Sequence, residues 1–120
     1  MATVRIFVSD VPRAQKFYES ALGFETVQAF GPAIAIMARE DLQLWVSGPV
    51  SSAGKPWGDG TQPTAGGFTR IVLPLGNLEE TRELVERHGG RVANGPLQGP
   101  GGTQVIVLDP DGNSIEFFSS

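Results

Sequence analysis

The chain has no cysteine and only one histidine, His88. The first absence excludes disulfides, thiolate metal sites and a cysteine nucleophile. The second leaves no means of assembling an imidazole-rich metal centre, and no Ser-His-Asp triad can be built around His88. Basic residues are few: nine Lys and Arg stand against thirteen Asp and Glu, a net charge of −4. Nucleic-acid binding needs clustered cations, so that class is set aside. The acidic balance mildly favours a cationic ligand. No apolar run approaches 18 residues, so no membrane-spanning helix is expected. The start, Met1-Ala2-Thr3-Val4-Arg5-Ile6-Phe7-Val8, alternates like a strand and lacks the basic-then-apolar order of a signal peptide. The expectation is a cytoplasmic protein. With 40% hydrophobic and 18% charged residues, 120 residues suffice for one globular domain with a true core.

What is present is a repeat. An offset of 67 residues pairs Val4 with Ile71, Ile6 with Leu73, Val8 with Leu75, Asp10 with Asn77, Phe17 with Leu84 and Gly23 with Gly90. Internal periodicity of this kind signals two copies of one structural unit. In the first copy, residues 3–9 alternate as a strand. Val4, Ile6 and Val8 lie on one row, and Thr3, Arg5 and Phe7 on the other. Asp10 is a helix N-cap with Pro12 in the first turn. Ala14, Phe17, Tyr18, Ala21 and Leu22 then recur at helical spacing up to Gly23, a left-handed stop. Strands follow at 24–30, 32–38 and 42–46. The second copy repeats the order: a strand at 68–75, an Asn77-capped helix to about His88, then strands at 91–98, 103–108 and 114–118.

Each copy is therefore βαβββ. The expected fold class is α+β, a single domain over residues 1–120. Module 1 is about 1–47, a Gly- and Pro-rich linker about 48–66, and module 2 about 67–120. The two modules would form a curved mixed sheet with a concave cleft and the helices outside, packed on the Val4 and Ile71 rows. The opposite rows would line the cleft. In the last strand of each module, Gln43 and Trp45 would correspond to Glu116 and Phe118.

Several residues carry the recognition chemistry. Trp45 falls on the concave row. Trp57 stands in the linker with little local core to join, and an aromatic so placed either packs on something or meets a ligand. Phe68 is the third main candidate, and Phe7, Phe30 and Phe118 are further ones. Competing structural roles are inner-wall packing for Trp45 and loop self-capping or dimer packing for Trp57. His88, before Gly89-Gly90, suits a helix C-terminus, where it meets carbonyls and the negative dipole end. Gly99-Pro100-Gly101-Gly102 lacks the Lys and Ser/Thr of a phosphate loop and reads as a turn. Asp109-Pro110-Asp111-Gly112-Asn113 has Pro at the second place and no bidentate Glu, so it is a hairpin turn and not a calcium loop.

The pattern Val8-Ser9-Asp10, Ala14, Phe17-Tyr18 and Leu22-Gly23-Phe24, with Asp41-Leu42-Gln43-Leu44 and the ending Asp109-Pro110-Asp111-Gly112-Asn113-Ser114-Ile115-Glu116-Phe117-Phe118, resembles the vicinal oxygen chelate superfamily. That superfamily includes glyoxalase I, bleomycin-resistance proteins and extradiol dioxygenases. The resemblance spans essentially the whole chain and speaks to fold more than to activity. It implies four metal-ligand positions, which fall here on Thr3, Gln43, Arg70 and Glu116. Only Glu116 is a competent ligand for a catalytic divalent ion. The resemblance therefore points to a metal-free member with no cofactor and no catalytic residue, akin to the bleomycin-resistance-like branch. Arg70 and Glu116 would form a salt bridge, and Thr3 and Gln43 a neutral hydrogen bond, in place of the ligands.

The expected function is sequestration of an aromatic natural product or antibiotic by a homodimer, with Trp45, Trp57 and Phe68 contacting its rings and Arg70, Gln43 and Glu116 its polar edge. The competing reading is an enzyme: a glyoxalase- or dioxygenase-like lyase or isomerase, or a cyclase acting on a natural-product intermediate, with Glu116 as a candidate general base and Tyr18 and Asp59 as lesser acid/base candidates. A structural or regulatory domain without a small ligand is a third.

Overall fold

Asp10 begins the first helix as the sequence predicts: its carboxylate accepts from the Arg13 backbone N–H at 3.1 Å. This and every other local signal can be followed in a computed structural model that describes residues 1–120. The chain order is β1 (Ala2–Phe7), α1 (Val11–Ser20), β2 (Glu25–Ala29), β3 (Ile34–Arg39), β4 (Leu42–Ser47), a 3-10 turn (Ser52–Gly54), β5 (Arg70–Pro74), α2 (Leu78–Arg87), β6 (Arg91–Gly99), β7 (Gly102–Leu108) and β8 (Ser114–Ser119). The architecture is α+β, two tandem βαβββ modules. The strands form two four-stranded mixed sheets, ordered β1-β4-β3-β2 and β5-β8-β7-β6. Neither helix is long and apolar enough to cross a membrane.

The chain divides into two compact units, Met1–Ala65 and Gly66–Ser120. The Gly- and Pro-rich segment after β4 thus clusters with the first unit. It is anchored there by backbone geometry. Gly48 N–H donates to Ala33 O at 2.8 Å, and a Cβ at Gly48 would lie 2.7 Å from both Pro32 O and Val11 Cγ2. Only glycine lets the strand leave the sheet so close to α1.

In the first unit, β1 runs parallel to β4, with Val4 opposite Leu44 and Ile6 opposite Val46. Antiparallel β3 places Ala35 opposite Val46 and Met37 opposite Leu44. Side chains alternate across a strand, so these residues share one face. Ala35, Met37, Leu44 and Val46 are wholly buried, as are Ala14, Phe17 and Tyr18 of α1. The Tyr18 ring stands edge-on to Phe17 at 5.4 Å and to Phe24 at 5.8 Å. Such T-shaped pairs add about 0.5–1.5 kcal/mol each beyond area burial. The helix packs on β2, β3 and β4, and on the edge strand Val4 stays 36% exposed. The helix therefore covers the middle of the sheet more than the Val4 row that the sequence singled out.

The helix ends earlier than Gly23. Its last residue is Ser20, and its cap is Ala21 in the right-handed region. Gly23, at φ +74, acts beyond the cap. It turns the chain so that Phe24 N–H reaches Tyr18 O at 3.0 Å.

The second unit follows the same logic. Asn77 caps α2 through its side chain, accepting from Glu80 N–H at 2.9 Å. Leu73, Val85, Val105, Val107, Ile115 and Phe117 form its buried core. His88 is the α2 C-cap, its N–H reaching Leu84 O at 3.2 Å. Asp109 closes the β7–β8 hairpin. Its Oδ1 accepts from the backbone of Asp111 at 2.9 Å and of Asn113 at 2.8 Å, and its Oδ2 from Asn113 Nδ2 at 2.9 Å.

Candidate functional site

The residues left over by each core define the chemistry of each sheet's other face. In the first unit that face carries Thr3, Arg5 and Phe7 from β1, paired in register with Gln43, Trp45 and Ser47 of β4. On β3, Ile36 lies opposite Trp45 and Ala38 opposite Gln43. Alternation within each strand makes this arrangement unavoidable once Leu44 and Val46 are committed to the helix.

Trp45 is held on this face from two directions. Its Nε1–H donates to Gln43 Oε1 at 3.0 Å. The Arg5 guanidinium lies over its ring, 4.9 Å from the centroid. That distance is within cation–π range. Arg5 Nη1 also donates to Ser47 Oγ at 3.2 Å, and Ser47 Oγ donates to Trp45 O at 3.2 Å. Ser47 is wholly buried, so this hydroxyl anchors an otherwise exposed cation to the sheet. Gln43 gives its carbonyl oxygen to the indole, not to Thr3, although Thr3 sits directly opposite it in register. The expected Thr3–Gln43 bond does not form, and the Gln43 oxygen is taken by the indole N–H on its own row.

In the second unit the corresponding face carries Arg70, Val72 and Pro74 of β5 beside Ser114, Glu116 and Phe118 of β8. Arg70 Nε lies 3.4 Å from Glu116 Oε1, with the side chains 40% and 13% exposed respectively. The ion pair expected from the sequence forms, but it is diagonal: Arg70 is paired with Ser114, and Glu116 with Val72. This corrects the correspondence drawn between the modules. Val8 N–H bonds Ser47 O, and Leu75 N–H bonds Phe118 O. Since Val8 matches Leu75, Ser47 matches Phe118. Glu116 then takes the place of Trp45, and Ser114 that of Gln43. The sequence alignment missed this because the motif before β8 is longer than the tight turn before β4.

The remaining candidates stand apart. Trp57 is 65% exposed, Phe68 95% and Phe30 51%. Phe7 and Phe118 are half-buried on the open faces of their respective sheets. Trp57 sits in a hydrogen-bonded turn: its N–H donates to Thr61 O at 2.8 Å, and Gly60 N–H donates back to Trp57 O at 2.9 Å. Asp59 closes the same turn by accepting from Thr61 N–H at 2.9 Å. That bond holds its carboxyl below the ordinary aspartate value of 3.8. Tyr18, a lesser acid/base candidate, is wholly buried against Phe17 and Phe24 and is not on the open face. Arg5 and Ser47 are functional candidates that motif reading passed over. The signal was available, because strand alternation already placed Arg5 on the row of Thr3 and Phe7.

A divalent cation does not suit these groups. Of Thr3, Gln43, Arg70 and Glu116, and of Trp45, which the register puts at the place of Glu116, one is a carboxylate, and it already faces a guanidinium. No three His, Cys, Asp or Glu side chains converge anywhere in the chain. A catalytic ion requires several such ligands around an open position.

Comparison with known proteins agrees with the fold. The crystal structure of a glyoxalase/bleomycin resistance protein/dioxygenase superfamily member from Sphaerobacter thermophilus is 26% identical, with a TM-score of 0.74 over 100% of this chain and 96% of that one. A glyoxalase-related enzyme from Fulvimarina pelagi is 21% identical, with a TM-score of 0.74 over 98% of this chain and 86% of that one. A lactoylglutathione lyase from Agrobacterium tumefaciens is 20% identical, with a TM-score of 0.72 over 98% and 91%. No curated protein matches the chain in sequence. A sequence model of the Glyoxalase/Bleomycin resistance protein/Dioxygenase superfamily matches residues 1–117. The βαβββ repeat, the Asp109–Phe118 ending and this match over nearly the full length lead to one statement: the chain belongs to the glyoxalase/bleomycin resistance protein/dioxygenase superfamily.

Proposed function

We propose that this protein is a metal-free binding protein that sequesters an aromatic or conjugated small molecule, of the type represented by natural-product antibiotics, and acts as a homodimer. The observation that carries this reading is the Arg70–Glu116 ion pair. It engages the one carboxylate found at the positions where the family's resemblance puts metal ligands. A cation there would have to displace a guanidinium. Trapping needs no ion. It needs apolar area and a few oriented polar groups.

Those are present in kind. Trp45 is pinned by Gln43 and covered by Arg5. Trp57 in the first unit and Phe68 in the second each offer an exposed ring to a planar ligand. Micromolar affinity corresponds to about 8 kcal/mol. Aromatic burial at about 25 cal/mol per Å², plus about 0.5–1.5 kcal/mol per ring pair, reaches that range. In the first unit Gln43 supplies a polar contact and Phe7 and Phe30 apolar ones; in the second Arg70 and Glu116 supply polar contacts and Phe118 an apolar one.

The test has two arms. Plasma emission spectrometry on purified protein is expected to find no stoichiometric transition metal. Titration with a panel of polycyclic antibiotics, followed by tryptophan fluorescence, is expected to give saturable quenching with the compound recovered unchanged. Stoichiometric metal, or product formation abolished by a chelator, would establish the enzyme reading instead.

A further inference from the structure

Arg5 of β1 and Arg70 of β5, each on the open face of its own sheet, differ in one respect. Arg70 has Glu116 as a counter-ion. Arg5 has an indole face and a hydroxyl as partners, and no acid. We infer that Arg5, held over Trp45 beside Ser47 and Gln43, is an anion-recognition residue, and that the ligand taken by this face is an aromatic carboxylate. The inference rests on the binding reading above and names the charge of what is bound.

A guanidinium carries five N–H donors. One of them, on Nη1, goes to Ser47 Oγ. The others are directed by a group that cannot swing freely, since the indole underneath and the buried serine beside it restrict where it lies. Less ordering is then required when a ligand arrives. A carboxylate matches the planar fork of donors in a way that an ammonium or a neutral amide does not. The same geometry provides for the ring. Ile36 stands directly opposite Trp45 on β3, and Phe7 follows Arg5 on its own row, opposite Ser47. Engaging the outer edge of Arg5 brings the ligand's ring over this apolar ground. The Gln43 amide, its oxygen already used by the indole, presents its N–H₂ to a second acceptor on the ligand. The net charge of −4 on the whole chain would favour a cation at long range. A few ångströms from Arg5 the local uncompensated charge decides, because solvent and salt screen distant groups.

Three probes of one shape separate the possibilities: 2-naphthoate, 2-naphthamide and 2-naphthylmethylammonium. Binding is read from the Trp45 indole N–H cross-peak in ¹H–¹⁵N spectra of the full chain, assigned with Trp57→Phe. The expected result is that naphthoate binds about tenfold tighter than naphthamide, and that the ammonium is weakest. Arg5→Gln should abolish the preference for naphthoate over naphthamide. Arg5→Lys should restore part of it, and Arg87→Gln, on the exposed face of α2, should leave the ratio unchanged. Raising salt should shrink the naphthoate advantage only. Equal affinity for naphthoate and naphthamide would overturn the anion assignment while leaving the binding reading intact. No response to any of the three would overturn both.

Discussion

Glu116 has a side chain only 13% exposed, and Arg70 is its charged partner at 3.4 Å. Removing a partner from a group withdrawn from water costs more than removing one from a solvated group, because the remaining charge is left without compensation. Arg70 is itself 40% exposed, which limits the effect. Arg70→Gln is expected to destabilise the protein by about 1 kcal/mol, at the upper end for exposed pairs. The control is the helix-surface pair Arg87–Glu83, whose side chains are 58% and 65% exposed. Arg87→Gln should cost no more than about 0.5 kcal/mol. Urea unfolding of the two variants decides the matter. Equal midpoints would mean that Glu116 is solvated and the pair makes no contribution of its own. Residue identities at this scale were partly legible in the sequence. The alignment named Arg70 and Glu116, and alternation placed Trp45 and Arg5 on one row. It could not say that Trp45 would bond Gln43 two residues away, because that depends on a rotamer chosen by Arg5 and Ser47 together.

Turns and caps are where local sequence carries most. Asp10 and Asn77 cap their helices as their types and positions predict, since an Asx oxygen can satisfy an otherwise unpaired helix N–H. The Asp109–Asn113 turn is likewise determined by its own residues. Asp109 is 3% exposed and accepts bonds from two backbone N–H groups and one side-chain amide. Its loss strands three half-buried donors at once, so Asp109→Ala should cost about 2–3 kcal/mol, against about 1 kcal/mol for Asn77→Ala at an exposed cap. Thermal and urea unfolding both report this. An Asp109→Ala cost as small as that of Asn77→Ala would show that water replaces the carboxylate in the turn. What sequence reading could not resolve at this scale was register. Ser114, and not Glu116, lies opposite Arg70, because a parallel pair joined through intervening elements has no turn to fix its offset. The first helix also stops short of its glycine, where the Ala21 N–H already donates the capping bond to Phe17 O.

In the assembled chain, each sheet has two central and two edge strands. The central pairs carry the fully buried residues: Ala35, Met37, Leu44 and Val46 in one, Val105 and Val107 with Ile115 in the other. The edges carry Val4 at 36%, Val27 at 61%, Val72 at 57% and Leu97 at 43% exposure. Opening free energy follows burial and pairing. Amide exchange is therefore expected to be slowest in β3, β4, β7 and β8 and fastest in β2 and β6. Protection of Val27 or Leu97 equal to that of Val46 would show that an edge is covered in solution, as by a second copy of the chain. The sequence by itself determined the βαβββ repeat, the caps and turns, the apolar rows and the scarcity of metal ligands, because each depends on residue type and on spacing within a few residues. The tertiary structure alone decided that Glu116 answers Arg70 diagonally while Arg5 rests on Trp45 without a counter-ion. Those pairings join residues forty or more positions apart, and only strand register sets which side chains meet.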